Sequence, residues 1–283
     1  MSAPGTLGAV LGAARRAGIP RLDAELLAGM VCGLERSAVI AHPERELDER
    51  EQRRLGELLQ RRAEGVPLAQ LRGRREFFDL DLLVTPEVLI PRPETELLVE
   101  TVLDATPDIA RRVVDLGTGS GAIILALAAR RRHWTLWAVD LSPDALAVAR
   151  QNGERLAPGR VHWTLGDWFA PLGETRFDVI VSNPPYVGDE DPDLAGDVLR
   201  HEPALALFAG PDGLTALRQI IAGAPAQLST DGLLVLEHGH RQGDAVRALL
   251  EARGFDAIET RADLEGRPRV TAARWPRGAA PHG

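Results

Sequence analysis

The sequence has little cysteine, no lysine and no long apolar run. Cys32 is the one cysteine among 283 residues, and no apolar stretch approaches the ~20 residues that span a bilayer. A single thiol can form neither an internal disulfide nor a thiolate metal site, which is typical of a reducing compartment. Within residues 1–18, arginine follows the apolar residues, the reverse of a secretory signal. We therefore expect a cytoplasmic protein that does not contact a membrane.

The sequence also lacks an obvious basic stripe. All 33 basic residues are arginine, the net charge is −8, and the surplus of acidic residues lies beyond residue 72. Because phosphate contacts supply most of the affinity for nucleic acid, this distribution argues against direct nucleic-acid binding. The histidines are scattered without the spacing of metal ligands, so we expect no metal site.

The periodicity of apolar residues divides the chain into segments. Residues 1–72 repeat apolar positions every three or four residues, which predicts a small helical bundle. Residues 73–92 alternate instead, which predicts a β-hairpin connector with apolar positions Phe78, Leu80, Leu82, Val84 and 88–90. Residues 93–275 form the larger domain, and residues 276–283 are predicted to be a disordered tail.

Beyond Arg112, short apolar strands alternate with helices. The predicted strands are 113–116, 136–139, 161–165, 177–181 and 233–237. This alternation predicts an α/β fold, with a parallel sheet covered by helices on both faces. Residues 257–260 and 269–274 are predicted to close the sheet as an antiparallel hairpin.

A glycine-rich turn joins the first predicted strand to the first helix of this domain. Its residues are Gly117, Thr118, Gly119, Ser120 and Gly121. Such a turn lets a ligand approach bare backbone and the amino end of a helix. In dinucleotide enzymes the third glycine follows the second by three positions, whereas here it follows by two, which argues against a nicotinamide dehydrogenase.

Two further strands end in residues suited to a nucleoside. Asp140 ends the second strand, 19 residues beyond Gly121, where a carboxylate can accept both hydroxyls of a ribose. Asp167 and Trp168 follow the third strand, as a second acceptor and an aromatic flank for adenine. The alternatives are a helix cap for Asp140 and core packing for Trp168. Together with the glycine turn, these residues favour a nucleoside site.

The fourth strand runs into Asn183, Pro184, Pro185 and Tyr186. Two prolines hold this loop rigid beside the predicted nucleoside site. The Asn183 side-chain oxygen and the Pro184 carbonyl can accept both hydrogens of a planar NH2 group, and Tyr186 can stack on its flat face. The loop therefore predicts chemistry on an amide or amino nitrogen, the alternative being a proline turn without a catalytic part.

These motifs resemble class I methyltransferases that use S-adenosyl-L-methionine and act on exocyclic or amide nitrogen. The sequence is most similar to the HemK/PrmC family, the release factor glutamine methyltransferases, over residues 23–275. The segments that carry this resemblance are 76–78, 89–96, 115–121, Asp140, 167–169, 183–186, 202–205, 212–214, Glu237 with Gln242, and 263–269.

The resemblance implies a Rossmann-like catalytic domain and an amino-terminal helical domain that helps recognise peptide chain release factors. It implies transfer of a methyl group to N5 of the glutamine in a Gly-Gly-Gln tripeptide, which modulates translation termination. S-adenosyl-L-methionine would contact residues 117–121, Asp140, Asp167, Trp168 and Asn183. Asn183, Pro184, Pro185 and Tyr186 would bind the glutamine amide, with Asn183, Pro184 and Tyr186 acting in catalysis. Arg92 and residues 94–96 would line or brace the same pocket, the alternative being a helix amino terminus with favourable acidic residues.

Other functions fit parts of the same pattern. Adenine also presents a planar NH2 group, so a nucleic-acid adenine N6-methyltransferase can use the same loop, although it must extrude its base and hold phosphates. An enzyme that methylates a glutamine of a ribosomal protein would carry out the same reaction and would differ from a release factor methyltransferase only in its protein substrate. A cofactor-binding module without activity is disfavoured by the intact Asn183.

Overall fold

The protein forms two compact units in the computed structural model, which describes residues 5–189 and 200–276. Residues 5–74 with 200 and 201 belong to the first unit, and residues 75–189 with 202–276 belong to the second. Apart from Pro276, the predicted disordered tail lies outside the described residues. No helix in these ranges is long and apolar enough to cross a membrane.

The first unit is helical. Its helices are α1 (Leu7–Arg16), α2 (Arg21–Cys32), α3 (Arg36–Ala41), α4 (Glu49–Ala63) and α5 (Leu68–Arg72). Helix α4 begins with a capping box, in which Asp48 accepts from the Glu51 amide and Glu51 accepts from the Asp48 amide. The unit has its own apolar core, which includes Leu7, Leu27, Leu55 and Leu58.

A two-stranded hairpin of β1 (Arg74–Phe77) and β2 (Leu80–Leu83) follows. The prediction of a hairpin is correct, but its boundaries are wrong. Phe78 and Asp79 form the turn, with φ of 49° and 65°, which are the left-handed values of a two-residue hairpin connection. Val88 and Ile90 are buried without forming a strand, so their apolar pattern reflects burial and not strand pairing.

The second unit is organised around a seven-stranded sheet in the order β5-β4-β3-β6-β7-β9-β8. Its strands are β3 (Arg112–Leu116), β4 (Thr135–Asp140), β5 (Val161–Leu165), β6 (Phe177–Ser182), β7 (Leu228–Glu237), β8 (Asp256–Ala262) and β9 (Pro268–Arg274). Neighbours from β5 through β7 are parallel, and β9 is antiparallel to both β7 and β8. This topology confirms the predicted α/β fold and its closing hairpin.

Helices cover both faces of the sheet. They are α6 (Glu96–Ala105), α7 (Ala122–Arg130), α8 (Pro143–Leu156), α9 (Thr215–Gln227) and α10 (Gly243–Arg253). Alternate residues of one strand point to opposite faces: Val113 packs in a cluster with α6 and α7, and Val114 packs in a cluster with α9 and α10. The central strands β3 and β6 are buried on both sides, as expected for parallel strands, whereas the edge strands β5 and β8 are more exposed.

The order of the strands places a crevice at the carboxyl edge of β3. From β3 the chain proceeds through β4 to β5, and it then returns to β6 on the other side of β3. Ligands of open α/β sheets bind at such a reversal of strand order, outside the carboxyl ends of the strands. The glycine turn and the proline loop both lie at this edge.

Asn152 connects the hairpin to the glycine turn. Its side chain is fully buried on α8, where Oδ1 accepts from the Leu83 amide at 2.7 Å. Its Nδ2 donates to the Leu83 carbonyl at 3.0 Å and to the Ser120 carbonyl at 2.9 Å. One carboxamide thus satisfies backbone groups of two separate segments around the site.

Candidate active site

A cavity of about 490 Å³ lies at the carboxyl edge of the sheet. Its volume is in the usual range of small-molecule sites. Nine predicted site residues line it: Gly117, Thr118, Gly119, Ser120, Asp140, Asp167, Trp168, Asn183 and Pro185. Gly121, Pro184 and Tyr186 are not among the lining residues. The structure therefore brings most of the predicted residues to one cavity, and three of them do not line it.

The glycine turn exposes backbone at Gly119. This residue has φ of 56°, and a Cβ built there would meet no atom within 4 Å, so glycine is required by conformation and the adjacent space is open. Gly121 also has a positive φ, of 83°, and in addition its Cβ would lie 3.1 Å from Leu125 and 3.3 Å from Trp163. Gly121 therefore allows helix α7 to pack closely, and Gly119 leaves room for a ligand.

Asp140 holds the glycine turn through its carboxylate. Its Oδ2 accepts from the Gly119 amide at 2.8 Å, and its Oδ1 accepts from the Ser142 amide at 2.9 Å. The cap of α8 is Ser142, which accepts from the Ala145 amide, so Asp140 does not have the alternative role of a helix cap. Each oxygen has a further lone pair, which leaves acceptors for ligand hydroxyls. Burial raises the pKa of Asp140.

Asp115 lies directly behind the glycine turn. Its side chain is fully buried and accepts from the Thr118 hydroxyl at 2.6 Å. Burial, followed by the nearby charge of Asp140, raises the pKa of Asp115 to about 7. The sequence motif includes Asp115, but the hydrogen bond that ties it to Thr118 is visible only in the structure.

Trp168 forms one wall of the cavity. Its backbone has φ of 42°, and its indole Nε1 donates to Gln219 Oε1 at 2.9 Å. The indole lies against the turn, because a Cβ built on Gly117 would be 3.5 Å from the ring. The sequence does not identify Gln219 as a site residue, since it lies on α9 and outside all of the motifs.

Asn183 stands where β6 ends. Its Nδ2 donates to the Thr95 hydroxyl at 3.2 Å. Its Oδ1 is buried and has no hydrogen-bond partner within the described part of the chain. A buried acceptor without a partner is costly, so it is expected to receive a donor from a ligand. Thr95 also lines the cavity, and no sequence motif predicts an individual role for it.

Tyr186 is held behind the cavity by a buried carboxyl group. Its hydroxyl donates to Glu237 Oε1 at 3.2 Å. Burial, and then the charge of Glu237, raises the pKa of Tyr186 far above its usual range, so the phenol stays protonated. The neighbouring His238 is fully buried, with its ring nitrogens against the Thr271 hydroxyl and the Gly239 carbonyl, and burial lowers its pKa. This histidine therefore has a packing role.

The segment around Arg92 braces the other side of the cavity. Arg92 Nη2 donates to Glu202 Oε1 at 2.5 Å, and the Ile90 amide donates to Glu202 Oε2 at 3.0 Å. Glu96 accepts from the Phe78 amide at 3.0 Å, which fixes the hairpin turn. Arg92 and Thr95 line the cavity, whereas Glu94 and Glu96 do not.

These features fit S-adenosyl-L-methionine. Open backbone at Gly119, the carboxylate of Asp140 and the indole of Trp168 lie around one cavity of suitable volume. They provide what a nucleoside ligand requires: close approach to the backbone, acceptors for its hydroxyl groups and an aromatic wall. In the described ranges no group of three or more His, Cys, Asp and Glu is placed to hold a metal ion.

Comparisons with known folds agree with the architecture. The catalytic domain of hMettl16, solved with a MAT2A 3'UTR hairpin, is similar with a TM-score of 0.57 and 18% identity, covering 77% of this chain and 81% of that one. A methyltransferase from Pyrococcus furiosus is similar with a TM-score of 0.53 and 18% identity, covering 70% and 89%. At these identities the likeness shows the fold alone.

Comparisons of sequence are more specific. Residues 93–204 match the model of the methyltransferase small domain, and residues 10–73 match that of the PrmC N-terminal domain. The chain is 46% identical to the release factor glutamine methyltransferase of Salmonella typhimurium, covering 90% of this chain and 92% of that protein. It is 47% identical to the one from Burkholderia pseudomallei, covering 93% and 94%, and 43% identical to the one from Escherichia coli, covering 90% and 92%. The chain belongs to the family of release factor glutamine methyltransferases.

Proposed function

We propose that the protein transfers a methyl group from S-adenosyl-L-methionine to the N5 side-chain amide nitrogen of the glutamine in the Gly-Gly-Gln motif of peptide chain release factors. The family supports the reaction, and the relatives' names support the partner. The observation that carries the proposal is Asn183 Oδ1, a buried acceptor without a partner among the described residues, in a side chain that lines the cavity. A primary amide is a donor that such an acceptor can hold.

The cofactor is assigned to the glycine turn and the strand ends beside it. Residues 117–120 give its methionine part and ribose an approach to bare backbone, Gly121 supports the turn by close packing of α7, and Asp140 accepts the ribose hydroxyls. Asp167 and Trp168 flank the adenine. Asn183 closes this part of the cavity toward the substrate. When bound, S-adenosyl-L-methionine supplies a methyl group already activated by the sulfonium charge.

The proline loop orients the nucleophile. An amide nitrogen attacks poorly because its lone pair is delocalised into the carbonyl. Asn183 Oδ1 and the Pro184 carbonyl accept its two hydrogens, which orients the lone pair toward the methyl group and favours a partly pyramidal nitrogen. Pro185 lines the cavity and keeps the loop rigid, and Tyr186 anchors the loop from behind through its hydrogen bond to Glu237. Positioning of this kind supplies much of the rate enhancement when the reacting group is already activated.

A separate general base is not assigned. Alkylation leaves the nitrogen with an additional proton, which the product loses readily to water. The carboxylates of Asp140 and Asp115 are engaged in hydrogen bonds with the glycine turn and serve the cofactor side of the cavity.

The helical unit is assigned to recognition of the partner. We place the recognition domain at residues 1–72, the connector at 73–92 and the catalytic domain at 93–275. The match to the PrmC N-terminal domain over residues 10–73 supports this division, as does the separate apolar core of the helices. Cytoplasmic location follows from a substrate that acts in translation.

Methyl transfer from labelled cofactor to purified release factors tests the proposal. Native factors and factors with the tripeptide glutamine changed to alanine are incubated with the protein, and incorporated label is counted. Label on the native factors alone is the expected result. Label that persists on the altered factors contradicts the assigned glutamine. Labelling of ribosomal proteins or of nucleic acid in parallel reactions, with release factors unlabelled, contradicts the assigned partner.

A further inference from the structure

Glu237 is a fully buried carboxyl group that is not part of the cavity. It ends β7, is 1% exposed, and accepts from the hydroxyl of Tyr186 through Oε1. Its Oε2 is buried and has no partner at hydrogen-bond distance in the part of the chain that the structure describes. A buried carboxyl group beside a reactive loop calls for a structural or functional reason.

Thr95 connects this carboxyl group to Asn183. The Thr95 side chain is 4% exposed, and its Oγ1 accepts from Asn183 Nδ2 at 3.2 Å. The Thr95 side chain also lies near Glu237, since its interaction with the carboxyl group lowers the pKa of Glu237, but Glu237 Oε2 has no partner at hydrogen-bond distance among the described residues. Because Asn183 Nδ2 donates to Thr95, the hydrogen of the Thr95 hydroxyl remains free to turn toward this oxygen.

The direction of these hydrogen bonds has a consequence for Asn183. A hydroxyl group has one hydrogen to donate, and a carboxylate can only accept. If the Thr95 hydrogen points to Glu237, then Thr95 must accept from the NH2 side of the Asn183 carboxamide. The oxygen of Asn183 is then the atom left for the substrate. If the Thr95 hydrogen pointed to Asn183 instead, the carboxamide would turn over and present NH2, which cannot accept an amide hydrogen.

We propose that Glu237 is a positioning residue, whose carboxylate holds the hydroxyl hydrogen of Tyr186 and draws that of Thr95 toward its second oxygen, and thereby orients the Asn183 oxygen toward the substrate amide. This inference rests on the proposed function, because it assigns the polarity that amide binding requires. Glu237 touches neither the cofactor nor the glutamine. It acts through Thr95, which lines the cavity, and through Tyr186, which belongs to the proline loop.

The charge state of Glu237 controls the network. Burial raises the pKa of Glu237 to about 7, against the interactions with the Thr95 and Tyr186 hydroxyls and the charge of Arg269, which lower it. Glu94 also faces the carboxyl group and raises its pKa, and Arg269 is paired with Asp263. Below about pH 7 the protonated Glu237 can itself donate to Thr95, which permits the reversed arrangement. The turnover number is therefore expected to fall on the acid side of neutrality.

Glu237→Gln tests the inference because it keeps the shape of the side chain and removes its charge. A glutamine can donate NH2 to Thr95, so the turnover number at saturating substrate is expected to fall ~100-fold, the size typical of a misoriented reacting group. The dissociation constant for the cofactor is expected to stay within about threefold, because the cofactor side of the cavity is unchanged. In the unmodified protein the turnover number is expected to decrease as the pH falls through about 7, and this decrease, the acid limb of the pH profile, is expected to disappear in Glu237→Gln.

Two variants of Thr95 and one distant control separate orientation from damage to the fold. Thr95→Ser keeps the hydroxyl and is expected to retain the turnover number within about threefold, whereas Thr95→Val removes it and is expected to resemble Glu237→Gln. Asp178→Asn makes the same carboxyl-to-amide change at the start of β6, where Asp178 accepts from the Arg112 amide. It is expected to leave the turnover number and the acid limb unchanged.

Tyr186 gives a readout that does not depend on activity, because it is the one tyrosine in the chain. Fluorotyrosine incorporation places a single fluorine label beside Glu237. Its ¹⁹F resonance is expected to shift with a midpoint near pH 7 in the unmodified chain and to stay constant over that range in Glu237→Gln. This titration remains informative if Glu237→Gln folds poorly, because the shift expected near pH 7 is measured in the unmodified protein.

Three results would overturn the inference: a Glu237→Gln turnover number within about threefold of the unmodified protein, an acid limb that persists in this variant, or a ¹⁹F resonance that does not titrate near pH 7. The proposed function fails separately, if the unmodified protein does not methylate the tripeptide glutamine. In that case the ¹⁹F titration still reports on the network.

Discussion

At the scale of single residues, Asn183 makes the most specific contribution to the proposed reaction. Its Nδ2 is committed to Thr95, and its Oδ1 has no partner among the described residues. Removal of the carboxamide in Asn183→Ala takes away one of two acceptors for the substrate amide. The turnover number is expected to fall ~100-fold to ~1,000-fold, as when a preorganised hydrogen-bonding group is lost from an active site.

Steady-state methyl transfer with saturating cofactor and release factor measures this loss. The far-ultraviolet circular dichroism spectrum of Asn183→Ala is expected to match that of the unmodified protein, since Asn183 lies in a loop after β6. A turnover number reduced less than about threefold would exclude Asn183 from the reaction.

Asp140 gives a prediction about the cofactor. Asp140→Ala removes the acceptor for the Gly119 and Ser142 amides as well as the proposed acceptor for ribose hydroxyls. Hydrogen bonds to a charged group contribute ~1.5–3 kcal/mol, so the dissociation constant is expected to rise ~10-fold to ~100-fold. Calorimetric titration with S-adenosylhomocysteine measures it. Asp140→Asn keeps one acceptor oxygen, so its affinity for S-adenosylhomocysteine is expected to decrease less. Equal affinity of Asp140→Ala and the unmodified protein would contradict the assignment of Asp140 to the cofactor.

The sequence predicts some site residues and not others for a physical reason. Asp140 and Asn183 end or directly follow strands, and the ends of parallel strands meet at one edge, so their proximity can be predicted from the strand pattern. Thr95 and Gln219 reach the cavity from helical segments that begin or run beside it. Their contacts depend on helix placement, which the periodicity of apolar residues does not determine.

At the scale of secondary-structure elements, Asn152 links β2, α8 and the glycine turn. Asn152→Ala leaves the Leu83 amide and carbonyl and the Ser120 carbonyl without this partner in a buried environment. The free energy of unfolding is expected to decrease by about 2–4 kcal/mol, because each buried polar group left unpaired costs about 1–3 kcal/mol and the site relaxes in part. Urea denaturation measures this change.

The neighbouring Gln151→Ala serves as the control for Asn152→Ala. Gln151 is exposed on the same helix, and its substitution is expected to change the free energy of unfolding by no more than about 0.5 kcal/mol. Equal stability of the two variants would show that Asn152 does not hold these elements together.

The hairpin shows where the prediction of elements failed. Apolar alternation through residues 77–84 has no glycine or asparagine to mark a turn, so the sequence favours a continuous strand. Phe78 and Asp79 nevertheless adopt left-handed conformations, and the Phe78 amide is held by Glu96. A contact from a distant helix therefore determines the turn, which local sequence signals cannot reveal.

At the scale of the whole molecule, the sequence predicted the class of fold and the family correctly. Alternating strands and helices determine a parallel sheet, and handedness rules leave few strand orders for such a chain. The position of β9 between β7 and β8 was not specified by the sequence pattern, because any antiparallel pair can join an edge in two ways.

The charge of the whole chain gives a prediction about competitors. With a net charge of −8 and an acidic larger domain, the protein is not expected to bind nucleic acid at physiological salt. An excess of transfer RNA or duplex DNA is therefore expected to leave the rate of release factor methylation unchanged at 150 mM salt, about the physiological level. Strong inhibition that declines with added salt would contradict this expectation.

Tandem mass spectrometry of a release factor after incubation with the protein and S-adenosyl-L-methionine tests the central claim most directly. One methyl group on the side-chain nitrogen of the Gly-Gly-Gln glutamine is predicted with the unmodified protein, and almost none with Asn183→Ala over the same time. A methyl group on another residue, or equal methylation of the glutamine by both proteins, would contradict the account.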